Sequence, residues 1–235
     1  MTKDGTHDEH PGTDPRSDSR SDSRSELSSE PAAGTGARRG RPGYDTATVL
    51  RICVDMFTKH GYDATSMGML AERLGISKSA IYHHVPSKLD ILRQALDAAL
   101  DPLEEAFQQH LANPEPTALA TLRALMAETI EVLIERRPYV LLLLRLRGNS
   151  EIEVAAMQRR RKLDRLTATI VEQAIAEGSI RGDLNPGNVA RYMFGTINSL
   201  VEWLRVDDTM STESAKRGVI SLLFEGLETS RPTLQ

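Results

Sequence analysis

Apolar residues recur at helical spacing along most of the chain after residue 45. Val49, Ile52, Cys53, Met56 and Phe57 stand at i, i+3, i+4, i+7 and i+8, one stripe of an amphipathic helix. Gly61 follows, where a helix C-terminus favours glycine. Thr65 or Ser66 can cap a second helix with an apolar face of Met67, Leu70 and Leu74. Gly75 permits a tight turn, and Ser77 can cap a short third helix carrying Ala80, Ile81 and His84. Pro86-Ser87 ends it and starts a fourth, with Leu89, Leu92, Leu96 and Leu100 inward; Asp101-Pro102 is expected to kink or restart that helix. Further helices are expected over 117–136, 138–147, 151–177, 187–206 and 211–229, separated by Pro- and Gly-containing breaks. No stretch alternates with period two. The pattern predicts an all-α fold of about nine helices. The pattern divides these helices into a three-helix unit over 44–90 and a longer helical unit over 91–230.

Residues 1–36 break the pattern. They are Ser, Asp, Arg, Gly and Pro with almost no apolar content, including the repeat Arg16-Ser-Asp-Ser-Arg-Ser-Asp-Ser-Arg24. Such a segment buries too little apolar surface to offset its ordering entropy, so a disordered tail is expected. Residues 37–43, Ala-Arg-Arg-Gly-Arg-Pro-Gly, read as a basic arm.

The formal net charge of −4 hides an uneven spread. The tail holds eight acidic and four basic residues, so the remainder is neutral. Within that remainder, residues 37–88 carry eight basic against four acidic residues. A basic module on a neutral protein suits a polyanion. Cys53 is the only cysteine, which excludes an internal disulfide and fits a reducing compartment. The apolar run Val140–Leu144 is far short of the ~20 residues of a membrane span. A cytoplasmic protein without membrane attachment is expected.

A helix, a glycine turn and a second short helix form the helix-turn-helix pattern. The second helix must enter a DNA major groove, so its outward residues are small and polar. Ser77, Lys78, Ser79, Tyr82 and His83 supply these, while Ile81 faces Leu70 and Leu74. Spacing alone also fits a generic helical hairpin.

The segment Gly61-Tyr-Asp-Ala-Thr-Ser-Met-Gly-Met-Leu-Ala-Glu-Arg-Leu-Gly-Ile-Ser-Lys-Ser-Ala-Ile-Tyr-His-His-Val-Pro-Ser-Lys88 resembles the N-terminal domain of TetR/AcrR-family repressors. Gly61, Thr65, Leu70-Ala71, Gly75, Ile81-Tyr82, His84 and Lys88 fall at the family spacing, and the likeness covers about residues 45–100. The resemblance implies that Thr65 caps the first helix of the motif within reach of a phosphate. It implies that Tyr82 contacts a phosphate or thymine methyl, that His84 packs beneath the motif and that Lys88 binds phosphate. Lys78, Ser79 and His83 fall at base-reading positions. Gly68 departs from the family, whose members carry a polar or charged residue there, and glycine weakens the helix.

Arg39-Gly40-Arg41-Pro42 is the core of an AT-hook, whose arginines lie in narrow A·T-rich minor grooves. A solvated basic linker is the alternative. His83-His84 invites a metal, but adjacent helical residues point about 100° apart and chelate poorly. No metal or cofactor is expected.

Residues 103–229 hold no nucleophile elbow, phosphate loop or paired-carboxylate motif, so an enzyme is not expected. Arg145 and Arg147, then Arg159–Lys162 and Arg165, place guanidinium groups beside apolar helices. Arg161 and Arg165 are i, i+4 neighbours. Such a cluster suits a ligand with phosphates and an apolar end. A solvated helix surface with Glu151 and Glu153 nearby is the alternative. The candidate ligand contacts are Arg145, Arg161 and Arg165, with Phe194, Asn198 and Trp203 on the penultimate helix.

The layout Ala176-Glu-Gly-Ser-Ile-Arg-Gly-Asp-Leu-Asn-Pro186, then Trp203-Leu-Arg205, is similar to the coenzyme A-thioester-responsive branch of the family. The basic arm with Ile81-Tyr-His-His-Val85 looks most like its phenylacetate regulators, the PaaR-like group. The resemblance implies a homodimer on a palindromic double-stranded DNA operator, with the seam on the last two helices. A small-molecule inducer such as phenylacetyl-coenzyme A would release it, the fourth helix coupling pocket to reader. Met193, Ile197, Leu200, Val201, Leu204, Val219, Leu222, Leu223 and Leu227 are either core or seam. Two rivals stay open: a regulator with an uncharged hydrophobic ligand, and a helical scaffold without specific DNA binding.

Overall fold

Asp45 starts the first helix by accepting the amide hydrogen of Thr48 at 2.7 Å, satisfying one of the donors a helix N-terminus leaves open. The computed structural model describes residues 44–204 and 211–225. The basic arm, with Arg39 and Arg41, lies outside them, as do the tail and Leu227.

Nine α-helices and no β-strand occur among the described residues. They are α1 (Thr46–His60), α2 (Met67–Leu74), α3 (Lys78–His84), α4 (Lys88–Ala112), α5 (Ala118–Glu135), α6 (Arg137–Leu144), α7 (Glu151–Ala176), α8 (Pro186–Trp203) and α9 (Thr212–Glu225). The all-α expectation holds, with boundaries differing by a few residues.

Side-chain oxygens cap most of the helices. Ser66, Ser77, Ser87, Thr117, Ser150 and Asn185 each accept from the amide three residues on. The turn between α2 and α3 needs Gly75, which adopts φ 66° and ψ 31°, a left-handed conformation costly for other residues.

The amphipathic stripes meet in one core. Val49, Cys53 and Phe57 of α1 are buried with Leu70 and Leu74 of α2 and Ile81 of α3. α4 continues that core into the second half, where it packs on α5, α6 and α7. α7 lies against α8, and α9 against α5 and α8.

Two expectations about α4 need correction. Leu89 is 42% exposed, whereas Ile91 is fully buried, so the first turn presents Ile91 and Leu92 inward. The helix also runs unbroken through Pro102. Leu100, Leu103, Ala106 and Phe107 bury its apolar side around the proline. On another side, Arg159 of α7 binds Asp97, Asp101 and Glu104 at 2.8, 2.5 and 3.0 Å. These carboxylates stand before and after Pro102, so one guanidinium bridges the place where a backbone hydrogen bond is missing.

Candidate functional site

α3 is short and anchored from one side. Ile81 and Val85 are buried, and the backbone leaves the helix at Val85. The opposite face carries Lys78, Ser79, Tyr82 and His83, all exposed, with Tyr82 at 45%. Lys78, Tyr82 and His83 make no side-chain hydrogen bond to another described residue, so their polar atoms stand ready for a partner. Ser77 is committed to the cap: its Oγ accepts from Ala80 N at 3.1 Å and lies 3.0 Å from Ser79 Oγ. His84 is half-buried. A rigid face with an ammonium, an imidazole, a hydroxyl and an aromatic ring can address phosphates, base edges and thymine methyls together.

Thr65 and Lys88 do something else. Ser66, not Thr65, caps α2. Thr65 is buried, and its Oγ1 donates to Gly61 O at 2.7 Å, which leaves no hydroxyl facing outward for a phosphate. Lys88 Nζ donates to the carbonyls of Tyr62 at 2.7 Å, Thr65 at 2.9 Å and Asp63 at 3.4 Å. It also lies 4.3 Å from the centre of the Tyr62 ring. An ammonium has three donors, and all three are taken. In this structure Lys88 is therefore a staple between α4 and the α1–α2 loop, not an open phosphate contact.

The candidate effector residues divide among four places. Phe194 and Asn198 line a small cavity, about 40 Å³, between α4, α5, α6, α7 and α8. Leu103, Leu133, Val140, Leu143 and Leu163 supply its apolar walls, and Arg160 and Asp164 its charged ones. Burial pushes the Asp164 carboxyl up, against the lowering effect of Arg160 and its neighbours, and burial lowers Arg160. Arg161 and Arg165 are exposed and line a separate open groove of about 420 Å³ between α7 and α8.

Arg145 and Trp203 line neither. Arg145 reaches across to α1, where its Nη1 donates to Thr58 O. It lines a cleft of about 520 Å³ with Tyr62, Asp63, Arg147 and Asn149. The expected ligand contact is thus a strut between α6 and α1. Trp203 ends α8 and is 49% exposed. It stands on the face of Tyr192, Thr196 and Ser199, because i, i+4, i+7 and i+11 align on a helix.

Most of the apolar residues near the C-terminus are buried within the chain, and Leu223 is half-buried. Met193, Ile197, Leu200 and Val201 are core, and Leu204 and Val219 are buried too. Leu222 is 70% exposed. Among the described residues, no group of three or more His, Cys, Asp or Glu side chains could hold a metal ion, and no helix is long and apolar enough to cross a membrane.

Residues 49–95 match the family described as bacterial regulatory proteins, tetR family, and residues 115–227 match the tetracyclin repressor-like C-terminal domain. The crystal structure of SCO3833, a TetR-family member from Streptomyces coelicolor A3, is 39% identical, covering 81% of this chain and 96% of its own, with a TM-score of 0.71. The chain belongs to the TetR family.

The transcriptional repressor KstR2 of Mycolicibacterium smegmatis is 25% identical over 187 residues, 78% of this chain and 90% of its own. A structure of AibR in complex with isovaleryl coenzyme A and operator DNA is 23% identical, covering 76% and 97% of the two chains, with a TM-score of 0.63. As a TetR-family member the protein is a transcriptional regulator rather than an enzyme.

In this TetR-family chain, three important residues escaped the sequence reading. Glu153 looked like a surface charge. It is 4% exposed, and its carboxylate accepts from the amides of Arg147, Gly148 and Asn149 at 3.2, 2.9 and 3.2 Å. The signal was present: Ser150-x-x-Glu153 has the spacing of a capping box, and Ser150 Oγ accepts from Glu153 N, while the Glu153 carboxylate takes the amides of the preceding loop. Arg159 looked like part of a ligand cluster and is a helix clamp. Arg191 carried no local signal, because only the fold brings it opposite Arg161 and Arg165.

Proposed function

We propose that this protein is a repressor that binds a palindromic operator as a homodimer and leaves it when an amphiphilic effector, an acyl- or aryl-coenzyme A thioester, enters the C-terminal half. Residues 44–90 would form the DNA-binding domain, after a tail over 1–36 and an arm over 37–43, and residues 91–230 would bind effector and partner copy. The observation that carries the DNA reading is the outward set Lys78, Ser79, Tyr82 and His83 on an α3 locked by Ile81. Two such helices about one DNA turn apart, ~34–36 Å, would read the two half-sites. Arg39 and Arg41 are suited to the adjacent minor groove.

A seam on α8 and α9 is supported by their outer faces. Tyr192 and Trp203 flank the small residues Gly195, Thr196 and Ser199, and Leu222 stands out from α9 near exposed Gly218. Small residues between aromatic ones let a second helix approach closely.

Release follows from the size of the cavity. At about 40 Å³ it holds a few waters, not an acyl chain, so a ligand must push its walls apart. Among these walls α6 has no side-chain cap at its N-terminus and is tied to its neighbours at both ends instead. Arg137 holds its N-terminal end to Val201 O at 2.8 Å, while Arg145 at the other end holds α1. Movement of α6 would pull on α1, and α4 would carry strain from Leu103 to Lys88.

AibR, solved with isovaleryl coenzyme A and operator DNA, supports this pairing of ligand class and DNA by its shared fold. The mostly apolar cavity lining favours a second reading, an uncharged hydrophobic effector. Anisotropy titration of DNA fragments from upstream of the protein's own gene tests the DNA claim: saturable, sequence-dependent binding is expected, abolished by Tyr82→Ala. Phenylacetyl-coenzyme A and short acyl thioesters, added to that complex, should release the DNA. Release by neutral hydrophobic compounds alone would favour the uncharged effector.

A further inference from the structure

The arginines of α7 point three ways. Arg159 is consumed by three carboxylates of α4. Arg160 turns into the small cavity. Arg161 and Arg165 turn outward, where Arg191 of α8 joins them along one open groove. None of these last three donates a side-chain hydrogen bond to another described residue. Among the described residues lining the groove Asp164 is the only acid, so the arginines there outnumber it.

Two further features fit an anion. Ala168 and Gly187 keep the lining free of bulk. Gly187 sits in the first turn of α8, where Pro186 has no amide hydrogen and Asn185 takes that of Asn188 at 3.1 Å. Its own amide is a first-turn donor without an intrahelical acceptor, at the positive end of an 18-residue helix. Fork-shaped guanidinium donors and a helix N-terminus suit phosphate oxygens.

Asp164 lines this groove and the apolar cavity as well. It is the shared wall of two compartments, one apolar and inside, one cationic and outside. We infer that Arg161, Arg165, Arg191 and the Gly187 amide form a polyphosphate-binding groove that holds the anionic end of the effector, while its apolar end passes Asp164 into the cavity. This rests on the amphiphilic-effector reading above and adds Arg191 as a specificity residue. With no ligand, the Asp164 carboxylate serves as partial counter-ion to the arginines; bound phosphates take its place.

Calorimetric titration with coenzyme A, phenylacetyl-coenzyme A, adenosine 3′,5′-bisphosphate and inorganic pyrophosphate tests the groove. Arg191→Gln, and separately the pair Arg161→Gln and Arg165→Gln, should weaken every phosphate-bearing probe that binds by about tenfold or more. Asp164→Asn should tighten them. Arg191→Lys should recover part of the loss, and an unchanged melting temperature confirms folding; where Arg191→Gln fails to fold, the Arg161/Arg165 pair decides. Thioester binding unaffected by these arginines overturns the groove while leaving the thioester reading intact. Pyrophosphate or bisphosphate binding that needs the arginines, with thioesters binding no better, upholds the groove and overturns the thioester reading. No binding of any probe to the wild-type protein overturns both.

Discussion

Arg145, at the C-terminal end of α6, donates to the main-chain oxygen of Thr58 in the last turn of α1. That carbonyl is one of those a helix end leaves without an internal partner, and a cation is favoured there. A second cation bound to main-chain oxygens in the same region is Lys88, which holds the carbonyls of Tyr62, Asp63 and Thr65. The end of α1 and the loop into α2 are therefore pinned by two charged side chains, one from α6 and one from α4. Both helices also line the cavity, α6 through Val140, Leu143 and Leu144, and α4 through Leu103.

Arg145→Met should cut one of the two links while sparing the core. The protein is expected to fold and bind DNA, but effector should change its operator affinity much less. A coupling of ~1–3 kcal/mol, or 5–150-fold, would shrink toward no change. Amide hydrogen exchange over residues 58–65 should also quicken. A variant with wild-type exchange and full effector response would show that α6 does not act through Thr58.

Lys88 and Tyr82 should separate stability from recognition. Lys88→Met removes donors from three carbonyls and should cost about 1–3 kcal/mol, a fall in melting temperature of roughly 2–4 °C per kcal/mol for a chain of this size. Tyr82→Ala removes an exposed ring and should leave the melting temperature almost unchanged while weakening DNA binding. Salt dependence distinguishes a staple from a phosphate contact. Losing a phosphate-bound lysine lowers the slope of log K against log salt by about 1; Lys88→Met is expected to leave the slope unchanged.

The same residues show what a sequence can reveal. The 3.6-residue period located all nine helices because burial acts on local stripes: Val49, Cys53 and Phe57 face inward as the pattern demands. The outward face of α3 was legible for the complementary reason, that Lys78, Tyr82 and His83 have no inward place on a helix anchored by Ile81. Long charged side chains were not legible. Lys88, Arg145 and Arg159 each act on residues tens of positions away, and nothing local separates a staple from a ligand contact. The continuity of α4 through Pro102 was not legible for a related reason, since Arg159, one of the groups that can compensate there, comes from another helix.

Gly68 offers a stabilising change. It lies in the first turn of α2, and a Cβ built there would meet only Ser66 Oγ, at 3.6 Å, an ordinary contact. Gly68→Ala should stabilise the protein by up to about 1 kcal/mol through helix propensity. Thermal or urea unfolding reads this directly. A loss of stability would mean that the unfolded-state gain is outweighed by strain around the Ser66 cap.

Cys53 should be inert in the native state. It is fully buried in α1, and burial pushes its thiol up to about 11. The thiolate is the reactive form, so at pH 8 a thiol reagent should label Cys53 only at the rate of unfolding. Rapid labelling of folded protein would reveal frequent opening of the α1–α4 core.

Arg159 tests how α4 stays whole across Pro102. A proline inside a helix removes one hydrogen bond and typically costs ~3 kcal/mol, yet α4 continues for ten residues beyond it, to Ala112. Two features can compensate: the apolar side around Leu100 and Leu103, and the clamp of Arg159 on Asp97, Asp101 and Glu104. Arg159→Leu removes the clamp and leaves three carboxylates facing one another. Asp97 and Asp101 are largely exposed, so solvent screens part of the effect, and a loss of about 1–3 kcal/mol is expected. Combining Arg159→Leu with Glu104→Gln in a double-mutant cycle isolates the best-buried pair, for which a coupling of about 0.5–3 kcal/mol is expected. A zero coupling and an unchanged melting temperature would assign the continuity of α4 to its apolar side alone, and would leave α7 no electrostatic hold on the helix joining the cavity to Lys88.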